Sequence, residues 1–282
     1  MSKFIVTGAS GYIGRFVVNS LAHDGHEVCA MRRRSTKEAF PSNVTVVEGD
    51  LWSLDHDLLA DIAPGATVIH LAWQDGFVHS ATSHMGQLSS HFRFIEKLVT
   101  AGATKIVGLG SMHELGPVSG LVGEDIVPAP VNQYGIAKNA LRASLADFCS
   151  TREVEFLWLR CFYILGDDRR NNSVFSKMLE LADRGETAMP LTTGTTRFDF
   201  IGVDQLGALI AWASASDGVT DTLNLGSGNV ISLRERIEQF NADNNLKLDL
   251  RFGEFPERAG IGEGAWPDLT RLTALRGQFT TG

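Results

Sequence analysis

The sequence predicts an α/β protein built on a doubly wound parallel sheet, with a small lobe contributed by its C-terminal part. Two observations carry this reading. Short apolar runs alternate with helical patterns from Phe4 to Gly110, as in a parallel sheet covered on both faces. The first run also opens directly into a turn with three glycines. With 282 residues, 44% hydrophobic and 21% charged, the chain can bury a sizeable core, and no tract has the composition of a disordered segment.

Phe4, Ile5 and Val6 form the first strand, and Gly8, Gly11 and Gly14 precede Phe16, Val17, Leu21 and Ala22 at helical spacing. Glycines permit a tight turn, and the helix N-terminus after it directs bare N–H groups at one point, which suits the pyrophosphate of a dinucleotide. A second strand covers Val28 to Met31. A carboxylate at its end would bind the ribose hydroxyls of NAD, but Arg32 and Arg33 stand there instead. Guanidinium groups suit a 2′-phosphate, so NADP is expected; the alternative is a solvated basic loop of Arg32, Arg33 and Arg34.

Further strands are expected at Val44 to Val47, Thr67 to Leu71 and Lys105 to Gly110. Asp50 and Leu51 follow the first of these, where a polar residue meets an adenine edge, and small Ala72 after the next lets backbone approach a cofactor. His70 reads as a packed core histidine. Leu88, Phe92, Ile95, Leu98 and Val99 give one apolar helix face. His79, His84 and His91 lie near its start, but no carboxylate or cysteine completes a ligand set at helical spacing, so no metal is expected. Phe156 to Cys161 supplies another strand.

Beyond Gly166 the spacing becomes irregular. A helix at 173–184, a loop with Pro190, a helix after Asp204, the strand Thr222 to Leu225 and a helix from Leu233 to Phe240 read as the lobe over the strand ends. The expected division is a dinucleotide-binding domain at 1–165 and a mainly substrate-binding lobe at 166–282, with some segments returning to the first domain.

Tyr134 and Lys138 are four residues apart, hence on one helix face. A neighbouring cation favours the phenolate, so the pair can pass a proton to or from a substrate oxygen, and Ser111 at a strand end can hold that oxygen. Such a set suits hydride chemistry at a carbinol or carbonyl. A net charge of −8 argues against a nucleic-acid partner. Cys29, Cys149 and Cys161 are too scattered for a disulfide framework, and the chain enters its first strand without an apolar leader, so a cytoplasmic, non-membrane protein is expected.

The sequence resembles the extended short-chain dehydrogenase/reductase family, a Rossmann-fold group working mainly on nucleotide sugars. The resemblance rests on TGASGYIG at 7–14, GDL at 49–51, HLAW at 70–73, GSMHELG at 110–116, YGIAK at 134–138, RCFYILG at 160–166, DFIGVDQ at 199–205 and LNLGSG at 223–228. It implies Tyr134 as acid/base, Lys138 as the group that lowers its pKa and holds the nicotinamide ribose, and Ser111 as the holder of substrate oxygen. It also implies a cofactor site including Ser10, Tyr12, Ile13, Leu71 and Cys161, and a homodimer through helices at 88–101 and 133–150.

Departures from the family pattern narrow the reaction. Ser111 is followed by Met112 and His113 rather than the Asp-Glu pair of sugar dehydratases. His113 and Asp167 occupy the places of the cysteine and histidine of combined epimerase-reductases. The expectation is therefore NADPH-dependent reduction of a keto group, at C4 of a nucleotide-linked 4-keto-6-deoxy sugar. Trp73, His79, His84, His113, Tyr163 and Arg197 are the expected substrate contacts, with His113 able to assist proton transfer at its ordinary value near 6.5. The alternatives are a 4-epimerase retaining NAD and a non-enzymatic NADP-sensing protein.

Overall fold

Strands buried on both faces need continuous apolar runs, and Phe4, Ile5 and Val6 in β1 (Lys3–Thr7) are fully buried. The computed structural model describes residues 1–166, 173–257 and 263–279. After β1 come α1 (Gly14–His23), β2 (Glu27–Arg32), β3 (Val44–Glu48), α2 (His56–Ile62), β4 (Thr67–His70), α3 (Ser83–Gly86), α4 (Leu88–Thr100) and β5 (Lys105–Ser111). Then follow β6 (Gly120–Val122), α5 (Gln133–Ser150), β7 (Glu155–Cys161), β8 (Tyr163–Leu165), α6 (Val174–Asp183), β9 (Ala188–Leu191), β10 (Arg197–Gly202) and α7 (Val203–Ala215). The chain closes with β11 (Asp221–Leu225), β12 (Val230–Ser232), α8 (Leu233–Asp243), β13 (Asp249–Phe252), β14 (Ala265–Pro267) and α9 (Thr270–Phe279).

The main sheet is parallel and seven-stranded, in the order β11-β7-β5-β4-β1-β2-β3. Its strand order reverses beside β1: the first two crossovers, to β2 and β3, go one way and the later strands are added on the other side. Open α/β sheets bind ligands at the carboxyl ends of strands flanking such a point. One face is packed with residues of α1, α7 and α9, including Val17, Leu206 and Leu272, and the other with α2, α4 and α5, including Leu59, Ile95 and Leu141.

Two C-terminal segments differ from the sequence expectation. Thr222 to Leu225 was expected in the lobe, but β11 extends the main sheet beside β7. Pro190 was expected in a loop, but it lies in β9, which among the described residues pairs with β13 alone; a two-stranded sheet leaves the edge on which a missing N–H is tolerated. Helix α7 also returns to the core, where a Cβ on Gly207 would stand 2.5 Å from Phe16 Cβ, so glycine sets the close approach of α7 to α1. The lobe has its own core of Phe175, Met178, Met189, Leu191, Ile237, Phe240 and Leu248.

Candidate active site

The glycine turn after β1 is built for backbone contact. Gly8 has φ +65°, and a Cβ there would lie 2.8 Å from Ala72 N; a Cβ on Gly14 would lie 2.2 Å from Gly8 O. No side chain caps α1 at Ile13, so its first N–H groups face the turn without a side-chain acceptor. This cradle fits the diphosphate of a dinucleotide. Ser10 Oγ donates to Thr36 Oγ1 at 3.0 Å, which ties the turn to the loop after β2, and Tyr12 Oη donates to Gly166 O at 2.6 Å. Asp50 caps the short turn at Leu51–Ser53 by accepting from Trp52 N, and Leu51 packs into the adjoining core.

The two arginines after β2 are not equivalent. Arg32 faces Glu48 in the β2–β3 register; its Nη2 lies 2.6 Å from Glu48 Oε1, and its Nη1 donates to Glu38 O. That guanidinium is therefore already engaged, which the sequence alone did not reveal. Arg33 is exposed, on the loop that meets Ser10.

A relay supports the floor of the site. Thr7 Oγ1 accepts the Leu71 and Ala72 N–H groups at 3.1 and 3.2 Å, so its own proton goes to His70 Nδ1 at 2.9 Å. His70 Nε2–H then donates to His91 Nδ1 at 2.8 Å. Both rings are neutral: burial holds His70 well below its ordinary value and brings His91 down to about 3, with Lys138 acting in the same direction. His70 is thus a packed core histidine with a bonding role.

Tyr134 stands at the first turn of α5, where Asn132 caps the helix by accepting from Gly135 N at 2.8 Å and Tyr134 N donates to His79 O at 3.0 Å. Around its ring stand His79 at 5.3 Å and nearly parallel, His84 at 5.3 Å, His113 at 5.8 Å and Trp73 at 6.1 Å between centroids. Of the six expected substrate contacts, the structure brings these four together. His84 Nδ1 accepts from Trp73 Nε1 at 3.0 Å, and its Nε2 faces Val78 O at 2.9 Å.

Tyr163 and Arg197 are placed differently. Tyr163 packs on Phe198 and Phe200, and side chains alternate along β10, so Arg197 points to the opposite face. There its guanidinium lies 5.7 Å from the Trp266 ring and donates to Val230 O at 3.2 Å. Asp167 lies outside the described residues.

The charges differ from the simple expectation for a Tyr/Lys pair. Lys138 Nζ donates to Leu109 O at 2.8 Å and sits 3.9 Å from the centre of the Trp73 ring. Burial raises the Tyr134 phenol, Cys161 and Glu114 add to this, and Ser111, through a side-chain hydrogen bond, is the neighbour that lowers it. Lys138 itself is pulled down to about 8 by burial. His113 is brought to about 4 by burial and by His79, so at neutral pH it is an uncharged imidazole and not the acid expected from its ordinary value. Cys161, opposite Ser111 in the β5–β7 register, is a neutral thiol pushed up to about 12.

One residue at the site was missed by motif reading. Glu114 is fully buried three residues after Ser111, and its Oε1 accepts the Ser111 N–H at 2.7 Å. The signal for it was a pair of glycines inside a strand: a Cβ on Gly110 would lie 2.1 Å from Trp158 Nε1 and 2.5 Å from Glu114 Oε1.

Residues 4–226 match the signature of the NAD dependent epimerase/dehydratase family. The chain belongs to that family. Among its relatives, a dTDP-6-deoxy-L-talose 4-dehydrogenase (NAD(+)) of Aggregatibacter actinomycetemcomitans is 37% identical over 269 residues, covering 94% of this chain and 98% of that protein. A dTDP-6-deoxy-L-talose 4-dehydrogenase (NAD(P)(+)) of Kitasatospora kifunensis is 25% identical over 280 residues, covering 95% and 87%. Among solved structures, MoeE5 in complex with UDP-glucuronic acid and NAD superposes with a TM-score of 0.80 at 27% identity, covering 98% of this chain and 93% of that one.

Proposed function

We propose that the protein interconverts the C4 ketone and alcohol of a dTDP-linked 6-deoxyhexose with a nicotinamide cofactor, acting as a 4-keto reductase when NADPH is supplied. The observation that carries this reading is the convergence of Ser111, Tyr134 and Lys138 beside Trp73, the residue after Ala72, whose backbone approaches Gly8 in the nucleotide cradle. The relative at 37% identity is named for the same carbon and the same sugar class, read in the oxidative direction.

The cofactor, when bound, supplies the hydride. Ser111 holds the C4 oxygen by its hydroxyl, and Tyr134 delivers the proton that the oxygen needs as the ketone becomes an alcohol. The phenolate left behind is stabilised by the Lys138 cation on the same helix face. The neutral imidazoles of His79 and His113, together with Trp73, form the wall against which the sugar ring lies. Arg33 reads a 2′-phosphate, because Arg32 is held by Glu48.

The three cysteines are free and buried, in keeping with a reducing cytoplasm, and no described helix is long and apolar enough to cross a membrane. Assembly as a homodimer through α4 and α5 is supported by the family resemblance. The test of the reading is turnover: purified protein, a dTDP-4-keto-6-deoxyhexose and NADPH should give stoichiometric loss of NADPH. Interconversion of epimers without net consumption would assign a 4-epimerase instead, and tight NADP(H) binding without any turnover a sensor.

A further inference from the structure

Glu114 has no part in the chemistry above, yet it is fully buried directly beneath the reacting groups. Its surroundings define its charge. Ser111 N–H donates to Oε1 at 2.7 Å, Trp158 Nε1–H lies 3.1 and 3.0 Å from the two oxygens, and Arg160 Nε stands 3.7 Å from Oε2. All of these groups are donors. Burial raises the Glu114 carboxyl above its ordinary value, while Arg160, the Ser111 N–H, Trp158 Nε1–H and Lys138 act the other way; a protonated carboxyl would point its hydrogen at one of these donors, so the hydrogen-bond geometry favours the carboxylate.

Arg160 is itself 1% exposed, and among the described residues its Nε and Nη1 have no hydrogen-bond acceptor, so the ion pair with Glu114 is what neutralises it. The chain also gives up side chains to make this arrangement possible. A Cβ on Gly108 would lie 2.3 Å from the Trp158 ring and one on Gly110 2.5 Å from Glu114 Oε1.

Lys138 and Glu114 grip the same strand end. The ammonium takes Leu109 O and the carboxylate takes Ser111 N–H, two residues apart on β5. We propose that Glu114 is a positioning residue for the reaction: it fixes the backbone of Ser111, and its buried carboxylate is the counter-charge of the Lys138 ammonium, which is anchored two residues away on the same strand end.

The neighbours of Lys138 leave this task to Glu114. From β7, Cys161 is a neutral thiol; from β4 and α4, His70 and His91 are neutral imidazoles; one turn earlier on α5, the Tyr134 phenol is raised and uncharged. His79, His84 and His113 meet the Tyr134 ring rather than the ammonium. Around the pair itself, Arg142 of α5 and Glu124 act on Arg160 from beyond it. Against a burial that pulls Lys138 down to about 8, Glu114 is the principal charge that pulls it up. Without it Lys138 would lose its proton within the physiological range, and the phenolate formed at Tyr134 would lose its counter-charge.

The role in catalysis rests on the reading of Tyr134 and Lys138 as the reacting pair, so the test includes a measurement that needs no turnover. Protein labelled with 13C at the lysine Cε is titrated by NMR, with Lys138 assigned from the signal lost in Lys138→Met. The wild-type midpoint should lie near 8. In Glu114→Gln, which keeps an acceptor for Ser111 N–H but removes the charge, it should fall by about 1–2 pH units. Glu114→Asp should restore most of that shift.

Should Glu114→Gln not fold, the double variant Glu114→Met/Arg160→Met removes both buried charges together, a replacement that proteins tolerate better than an orphaned charge, and should lower the midpoint in the same direction but by less, because loss of the Arg160 cation offsets part of the effect. The alkaline limb of kcat/KM, where Lys138 loses its proton, should move down with the Lys138 midpoint. An unchanged Lys138 midpoint in a folded variant overturns the proposal, whatever happens to the melting temperature. A shifted midpoint in a protein that never turns over a nucleotide sugar upholds the electrostatic role and rejects only the function assigned to the site.

Discussion

Lys138 holds its ammonium 3.9 Å from the centre of the Trp73 ring, and His91 stacks on that ring at 4.5 Å and an interplanar angle of 15°. The indole thus meets both a neutral imidazole and a cation. A desolvated cation–π contact is worth about 2 kcal/mol. Trp73→Leu should therefore lower kcat by about 10–30-fold, with cofactor affinity changed by less than about threefold, and Trp73→Phe should fall in between. Steady-state kinetics and cofactor titration read the two effects separately; an equal loss in both would show that Trp73 only supports the nucleotide site.

Tyr134→Phe removes the proton donor while keeping the ring that packs against His79. Turnover should fall by about 10²–10⁴-fold with cofactor binding nearly intact. Full activity in this variant would remove Tyr134 from the mechanism.

Cofactor preference separates Arg32 from Arg33. Because Arg33 is the exposed guanidinium, Arg33→Ala should raise the Kd for NADPH by about tenfold and leave NADH binding nearly unchanged. Arg32→Ala breaks the pairing with Glu48 and should lower thermal stability without discriminating between the two cofactors. Isothermal titration with both cofactors decides. A larger NADPH loss in Arg32→Ala would mean that the Glu48 pairing opens on binding.

The neutral histidines predict acid sensitivity. In the folded protein His91 and His113 protonate only near 3 and near 4, whereas an unfolded chain takes up these protons at about 6.5. Between those values the unfolded state binds more protons, so stability is complete above about pH 6.5 and falls as the pH drops toward 3. Urea unfolding at pH 7.5 and pH 5 should show this loss, and His91→Gln should reduce the difference between the two pH values. An identical difference in the variant would separate His91 from the effect.

Much of the site could be read locally. The Gly8 turn, the Tyr134–Lys138 spacing and Ser111 at a strand end depend on neighbours within a few residues, and turn chemistry and helix periodicity reach that far. What escaped depends on register between distant strands. Arg32 meets Glu48 only because β2 and β3 align so, and Glu114 finds its partners in the interior only because Trp158 and Arg160 arrive from β7. The same holds for β11, which returns to the main sheet after the lobe has been built. Arg197 and Tyr163 could not be separated by motif position, since the face each one takes follows from strand alternation across the β8–β10 pair.

The most direct measurement is the absorbance of NADPH at 340 nm when the protein meets a dTDP-4-keto-6-deoxyhexose. Loss of one NADPH per sugar reduced at C4, abolished in Tyr134→Phe, is the predicted result. Conversion of the sugar with NADPH unchanged, or no conversion with either NADPH or NADH, would contradict it.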